Sequence, residues 1–184
     1  MLTNINIKEL SINDLDIVKQ FSDKWIGSNY YSPEDLKQVI DLSDNTSFCA
    51  WDNSKLIGIR LTYSIGEWIQ TFSHGLTINK WKVNQTKVAY FKSLFIHPSY
   101  QNQKIGKRLS TASIQALKKK GAEAIICHSW LESPNNSSLT YLNSFGFTEI
   151  NRHKNFWSDN NYECIRCGTD ICKCTAVEMI KLLS

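Results

Sequence analysis

The chain has few residues of the kinds that interrupt a fold or cross a membrane. Its 184 residues include only three prolines and eight glycines, and neither is concentrated in one stretch, which excludes a flexible linker. No apolar run approaches the roughly 18 residues that a transmembrane helix needs, and the mixed first residues do not form the apolar core of a signal peptide. We therefore predict a cytoplasmic protein without a membrane anchor.

Charge of one sign is also scarce. The 21 basic and 17 acidic residues leave a net charge of +4 at pH 7, whereas a nucleic-acid-binding domain concentrates basic residues on one face. The mild excess argues against a nucleic-acid partner. An apolar fraction of 42%, with 11% aromatic residues, is typical of a folded domain. Monomer and homodimer both remain open.

Hydrophobic periodicity predicts an α/β fold with a mixed sheet. Strand patterns cover residues 5–10, 47–51, 55–63, 88–96, 122–129, 147–151 and 176–181, and helix patterns cover residues 13–24, 105–120, 135–144 and a segment that begins at Pro33. The strand–helix–strand order over residues 88–129 predicts a parallel pair. Residues 64–87 follow neither period, and we predict one or two strands within that excursion.

A polar loop, Gln101 to Gly106, leads directly into the predicted helix over residues 105–120. Helix N-termini carry unpaired N–H groups and bind phosphate readily. Lys104, Lys107 and Arg108 place positive charge where the helix dipole disfavours it, which is explained if an anion binds there. One glycine in a polar loop is by itself more typical of an ordinary strand-to-helix turn than of a phosphate site.

The neighbouring motifs resemble those of the GNAT-family N-acetyltransferases. Ser93-Leu94-Phe95-Ile96-His97-Pro98 is followed by Tyr100-Gln101, by Ile105-Gly106 and, after a further predicted helix, by Phe145-Gly146-Phe147. In that family a strand ends in an apolar-x-apolar-x-Pro segment, a Q/R-x-x-G-x-G/A loop binds the coenzyme A pyrophosphate, and a later helix ends in a G-F pair.

The resemblance implies both a fold and an activity. The expected fold is a mixed, mostly antiparallel central sheet with one parallel pair, flanked by helices, over residues 1–159. The expected activity is transfer of an acetyl group from acetyl-CoA to a primary amine of a small molecule or protein. The implied cofactor-binding residues are Leu94, Phe95, Ile96, Gln101, Asn102, Gln103, Lys104, Ile105, Gly106, Lys107 and Asn135.

Two positions depart from the family pattern. Lys104 replaces the first loop glycine, and its β-carbon obstructs a close approach of the backbone. Leu142 stands where many members carry a tyrosine that protonates the departing thiolate, and Tyr141 lies one residue earlier, about 100° around the helix. Tyr141 is therefore a candidate general acid, with core packing as the alternative.

Acetyl transfer to an amine requires the neutral amine. For a lysine-like amine this costs roughly 4 to 5 kcal/mol at pH 7, so a base is useful. Glu67 and His128 are the candidate bases, because Glu67 adjoins the excursion and His128 ends the second parallel strand, where ligands bind in such sheets. The alternatives are a solvated carboxylate and a hydrogen-bonded histidine. Further candidates are His74, His97 and Glu132.

Four cysteines lie close together in the tail, residues 160–184. Cys164, Cys167, Cys172 and Cys174 predict a structural zinc site in a reducing compartment, although the second pair is closer than usual. Unliganded thiols, a disulfide and another metal are the alternatives. The cluster is not part of the general family pattern, and it leads into the predicted last strand.

Two other functions compete with the enzyme. One is a non-catalytic acyl-CoA sensor, since Lys104 and Leu142 depart from the family motifs. The other is a zinc-stabilised interaction or nucleic-acid-binding module built on the cysteine cluster.

Overall fold

The computed structural model describes residues 5–159 and 163–183, which form a seven-stranded sheet covered by helices on both faces. The strands are β1 Ile5–Glu9, β2 Phe48–Asp52, β3 Lys55–Tyr63, β4 Val88–Ile96, β5 Ala124–Trp130, β6 Thr148–His153 and β7 Ala176–Leu182. The helices are α1 Leu15–Trp25, α2 Pro33–Ser43, α3 Trp68–Thr71, α4 Ile105–Lys119 and α5 Ser137–Ser144. Short 3-10 turns connect several of them.

The strand order is β1-β2-β3-β4-β5-β7-β6. Only β4 and β5 run parallel, with Val88 opposite Ala124 and Phe91 opposite Cys127, and the other neighbours are antiparallel. The predicted mixed, mostly antiparallel fold with one parallel pair is confirmed. The last strand, β7, lies between β5 and β6, and not at the sheet edge.

Local sequence signals explain the helix boundaries. Ser32 Oγ accepts a hydrogen bond from the Asp35 amide (3.0 Å), and Asp35 Oδ2 accepts one from the Ser32 amide (2.9 Å), which is a capping box ahead of Pro33. In α4 the buried positions Ile105, Leu109 and Leu117 follow the helical period and pack on the sheet.

The prediction of strands within residues 64–87 is wrong. The segment contains α3 and two 3-10 turns, Ile78–Lys80 and Gln85–Lys87. Trp68 and Trp81 are almost fully buried, and Trp68 Nε1 donates to the Val88 carbonyl at 2.7 Å. Anchoring by single large aromatic side chains needs no periodic pattern, so periodicity could not identify it.

Two cores fill the spaces between the sheet and its helices. One contains Val18 of α1 and Leu36 of α2 with β3 residues such as Ile59, and the other faces α4 and α5 and contains Phe91 and Leu117. Among the described residues, no helix has the length and apolar character to cross a membrane.

Candidate active site

The parallel strands β4 and β5 separate halfway along β4. Their pairing ends at Phe91 opposite Cys127, although β4 continues to Ile96. The β3–β4 register shifts at the same place, since Leu61 pairs with Ser93 and Thr62 with Phe91, which leaves Lys92 as a bulge. Beyond the bulge an open gap separates β4 from β5.

Two backbone amides of β4 point into this gap. The His97 amide donates to the Ile57 carbonyl at 2.8 Å, so His97 faces β3. Because hydrogen-bonding direction alternates along an antiparallel strand, the amides of Leu94 and Ile96 face away from β3, toward the gap. Phe95 therefore directs its amide to β3, and its side chain packs in the core beside α1.

The loop before α4 presents a row of amides. The first backbone bond of α4 runs from the Arg108 amide to the Lys104 carbonyl at 3.0 Å. Within residues 5–159 and 163–183, no protein acceptor meets the amides from Asn102 to Lys107. Such amides, at the positive end of a helix of this length, can bind an anionic group.

Lys104 adopts a backbone conformation that favours glycine. Its φ and ψ are 60° and 12°, in the left-handed region that costs an ordinary residue roughly 1 to 2 kcal/mol. The lysine therefore reproduces the shape of the family glycine and retains its own β-carbon. The Gln101 and Gln103 side chains donate to the Ile96 and Ser99 carbonyls and brace the loop.

Tyr141 lies at the α4 face of the gap. Its hydroxyl donates to the Gly106 carbonyl at 2.7 Å and lies 2.7 Å from Ser110 Oγ. Ser110 Oγ also accepts from Arg60 Nε (3.2 Å) and Nη2 (2.8 Å). The Arg60 guanidinium lies 4.2 Å over the Phe91 ring, and burial lowers its pKa. A buried cation therefore stands directly behind the tyrosine hydroxyl.

Lys92 extends to the opposite face of the sheet. Its Nζ lies 5.5, 5.3 and 5.8 Å from the ring centroids of Tyr31, Tyr63 and Phe72. Burial lowers the pKa of Lys92, whereas Asp35 opposes the shift. The bulge thus places an ammonium group in an aromatic box beside the gap.

His128 is on the same face as Lys92 and is fully hydrogen-bonded. Its Nε2 lies 2.7 Å from the Gly75 carbonyl, and its Nδ1 lies 2.9 Å from the Tyr90 hydroxyl. Since a carbonyl only accepts, Nε2 carries the proton and Nδ1 accepts from Tyr90. Burial lowers the pKa of His128 to about 4. The neutral ring has no free lone pair for a substrate proton.

A family model for the acetyltransferase (GNAT) family matches residues 15–147. The chain belongs to the GNAT acetyltransferase family. It is therefore an enzyme that uses acetyl-CoA, as its gap, its amide row and its strand order already suggest. The predicted family and enzyme class are confirmed, and neither the sensor nor the binding-module alternative is supported.

Several solved structures share the GNAT fold at low sequence identity. Arabidopsis thaliana NAA60 in complex with acetyl-CoA has a TM-score of 0.73 at 15% identity, covering 98% of this chain and 99% of that one. The Escherichia coli ribosomal-protein-S18-alanine N-acetyltransferase has 0.66 at 15%, covering 98% and 94%. The Drosophila melanogaster polyamine N-acetyltransferase has 0.68 at 10%, covering 98% and 100%. Among curated protein sequences, none matches this chain.

Glu67 is exposed and directly precedes α3. Among the described residues, its side chain has no hydrogen-bond or ion-pair partner that would direct it into the gap of this acetyltransferase. Phe72, the residue after α3, reaches the Lys92 ammonium, with 5.8 Å between Nζ and the ring centroid.

Asn135 is exposed, with a φ of 55°, between β5 and α5. Neither it nor Asn136 caps α5, since Ser133 Oγ accepts from the Ser138 amide at 3.1 Å. Of the further candidates, His97 accepts from the Ser99 amide, and Glu132 accepts from the Thr175 amide. His97 thus braces the turn after β4, and Glu132 connects the end of β5 with the residue before β7.

The four predicted metal ligands lie together in the connection between β6 and β7. Their sulfur atoms are all within 4.8 Å of one another, with 3.9 Å between Cys164 and Cys174 and 3.8 Å between Cys167 and Cys174. Cys164 and Gly168 exchange backbone hydrogen bonds. Burial opposes ionisation of Cys164, but the Cys167 and Arg166 amides outweigh it and lower its pKa to about 7.

Sequence reasoning missed three charged side chains with a functional or structural role. Arg60, Lys92 and Glu178 each interrupt an apolar run within a strand, which is a usable signal because buried charges need a reason. Glu178 is fully buried and accepts from the Thr77 amide (2.8 Å), the Thr77 hydroxyl (2.6 Å) and Trp81 Nε1 (3.1 Å). It fastens the excursion over residues 64–87 to β7.

Proposed function

We propose that this GNAT acetyltransferase transfers the acetyl group of acetyl-CoA to a primary α-amine, such as the N-terminus of a peptide or an amino-acid-like small molecule. One observation carries the choice of acceptor. Neither candidate base is held in position to take a proton at the gap, because His128 has both nitrogens engaged and the exposed Glu67 has no side-chain partner among the described residues. An α-amine has a pKa of about 8, so it needs far less help than a lysine-like amine to become neutral.

The cofactor pyrophosphate binds the amides from Asn102 to Lys107 at the start of α4. Gly106 permits the closest approach, and the side chains of Lys104 and Lys107 are exposed near the loop. Asn135 lies on the other side of the gap, after β5. Leu94 and Ile96 direct their amides toward the thioester oxygen and stabilise the negative charge that develops there.

The acceptor enters from the α1 and α2 face, because α4 and its loop hold the cofactor on the other face. Tyr31, Phe72 and Lys92 line this entrance. A neighbouring cation disfavours a second positive charge, so the Lys92 ammonium lowers the pKa of the acceptor, which releases its proton to solvent. His128 positions Tyr90 and the Gly75 segment without taking that proton.

Attack of the amine forms the C–N bond, and collapse of the addition product restores the C=O bond, breaks the C–S bond and leaves a thiolate that needs a proton. Tyr141 provides a hydroxyl on the cofactor face, whose single proton turns from the Gly106 carbonyl to the thiolate in this step. Ser110 links the hydroxyl to the buried Arg60 charge. A cation behind the hydroxyl favours the donation of its proton. We therefore assign the general-acid role to Tyr141 and positioning roles to Ser110 and Arg60.

The four-cysteine cluster holds a structural zinc ion in this proposal. Zn–S bonds of roughly 2.3 Å in a tetrahedron require sulfur separations of roughly 3.8 Å, and the separations of 3.8 and 3.9 Å agree. Disulfide sulfurs lie only about 2.05 Å apart. The indole of Trp130 packs on the cluster, and its N–H favours the ionised form of the Cys174 thiol, as a thiolate ligand requires. A reducing cytoplasm keeps such thiols available.

Two measurements test the enzyme assignment. Acetyl-CoA at about 100 times its Kd is expected to stabilise the fold by roughly 2.7 kcal/mol, and no thermal shift at millimolar acetyl-CoA contradicts it. Thiol release is then compared for three acceptors. They are a peptide with a free N-terminus, the same peptide with a blocked N-terminus and one lysine side chain, and spermidine. A higher kcat/KM for the N-blocked lysine peptide or spermidine refutes the α-amine proposal.

A further inference from the structure

The cysteine cluster is attached to the end of β5. The Leu131 amide donates to the Thr175 carbonyl at 3.0 Å, and the Thr175 amide donates to Glu132 Oε2 at 2.9 Å. Glu132 Oε1 also lies 3.3 Å from Arg166, which stands between two of the cysteines. The cluster is therefore fastened to the strand that forms one wall of the gap.

Phe156 connects the cluster with the acceptor side of the gap. Its amide donates to the Cys174 carbonyl at 3.1 Å, and its ring stacks on His128 with centroids 4.3 Å apart and planes at 27°. The ring also lies 4.9 Å from that of His74. A β-carbon on Gly75 would come within 2.4 Å of Phe156 Cε2, so this segment packs directly against the phenyl ring.

Little besides the cluster orders the described part of the connection between β6 and β7. Those residues, 154–159 and 163–175, contain no helix or strand apart from the Cys164–Gly168 bridge. Their core consists of the four cysteines with Trp130 and Trp157. A long irregular segment loses much conformational entropy on ordering, and a tetrahedral metal site supplies folding free energy of that order.

We infer that zinc bound at Cys164, Cys167, Cys172 and Cys174 holds the acceptor wall in place, and we call this zinc site the clasp. The acceptor wall is the side of the gap formed by His128, Phe156 and residues 72–77. Occupancy of the clasp holds Phe156 against His128 and thereby holds the segment 72–77 in place. The inference rests on the proposed function only where its test measures the acceptor KM. The cofactor side is independent, since the Tyr141–Ser110–Arg60 chain has its own hydrogen bonds, and the amide row precedes α4 on the other face of the sheet.

The test compares purified holoenzyme with protein stripped of metal by a strong zinc chelator. Metal analysis is expected to show one zinc per chain before stripping and four additional titratable thiols after it. Amide exchange in residues 72–77 and 153–159 is expected to rise at least tenfold, while the Kd for acetyl-CoA changes by less than about twofold. Acceptor KM is expected to rise about tenfold or more, and zinc readdition reverses all changes.

Variants separate the clasp from general damage to the fold. Cys167→Ala removes a ligand, and Cys49→Ala removes a fully buried cysteine of β2 as the matched control. Phe156→Leu keeps the ligands and breaks the link, so it is expected to retain zinc but to show the exchange and KM changes. Unchanged exchange in stripped enzyme, or loss of acetyl-CoA binding together with zinc, overturns the inference. If no amine is acetylated, the proposed function fails. Amide exchange in residues 72–77 and 153–159 still tests whether the clasp orders the acceptor wall.

Discussion

The Tyr90 hydroxyl donates to His128 Nδ1 at 2.9 Å, which leaves Nε2 as the donor to the Gly75 carbonyl at 2.7 Å. Both ring nitrogens are therefore occupied, and the imidazole is neutral at pH 7 because burial lowers its pKa to about 4. The sequence position of His128 marks it as a candidate base, whereas its ring joins Tyr90 of β4 to the Gly75 segment.

Stability is predicted to fall as the pH is lowered from 6.5 to 4. The unfolded chain protonates His128 near pH 6.5 and the folded chain only near pH 4, so the unfolded state binds the extra proton in that window. The contribution reaches about 3 kcal/mol. His128→Gln is expected to flatten the pH dependence of the free energy of unfolding measured in denaturant. The exposed His74, changed to Gln, is the control, and an equal flattening there contradicts the assignment.

Lys104→Gly is predicted to tighten acetyl-CoA binding. Glycine adopts the φ of 60° without strain and removes the β-carbon from the amide row. Lys104→Ala keeps the β-carbon but removes the ammonium, so it separates the two effects. We expect the Kd, measured by calorimetry, to fall several-fold in the glycine variant and to rise in the alanine variant. Weaker binding in both variants means that the ammonium dominates and that the β-carbon does not obstruct.

Lys92→Met is predicted to move the acidic limb of the pH profile of kcat to higher pH, because that profile reports ionisations in the enzyme–substrate complex. Without the ammonium over Tyr31, Tyr63 and Phe72, the acceptor keeps its proton to a higher pH. Lys92→Arg keeps the charge and is expected to leave the limb near its original position. An unchanged limb in the methionine variant rules out this electrostatic role.

Tyr141→Phe is predicted to lower kcat by about a hundredfold, the low end of general acid catalysis. Loss of hydrogen bonds to Gly106 and Ser110 also destabilises the fold by about 1 kcal/mol. Ser110→Ala removes the link to Arg60 and is expected to lower kcat less, with an unchanged Kd for acetyl-CoA. If Tyr141→Phe changes stability alone, the hydroxyl is structural.

Glu178→Gln is predicted to destabilise the protein by on the order of 3 kcal/mol, because one carboxylate oxygen becomes a donor facing other donors. Burial alone would raise the pKa of Glu178, but Thr77, Trp81 and His153 lower it. The carboxylate therefore stabilises the fold above about pH 4.5, and this contribution is lost as the pH falls through the lowered pKa. Exposed Glu149→Gln, which loses the bond to Arg152, is expected to cost less than about 1 kcal/mol.

Sequence periodicity was sufficient for most of the architecture. The capping box at Ser32 and Asp35, the apolar stripe of α4 and the β4–α4–β5 order depend on neighbours in sequence, and each appears in the structure. Periodicity did not predict the structure of residues 64–87, because this segment is ordered by Trp68, Trp81 and Glu178, which lie far apart in the chain.

The amino-acid sequence by itself determined the family, the polar loop before α4 and the four cysteines, since these are local patterns. Tertiary structure decided which side chains lie beside the gap between β4 and β5. A one-residue bulge turned Lys92 toward Tyr31, Tyr63 and Phe72, and packing engaged both nitrogens of His128. Parallel strands that pair over four residues and then separate create a site that depends on register and bulge position, and neither is encoded in a short stretch of sequence.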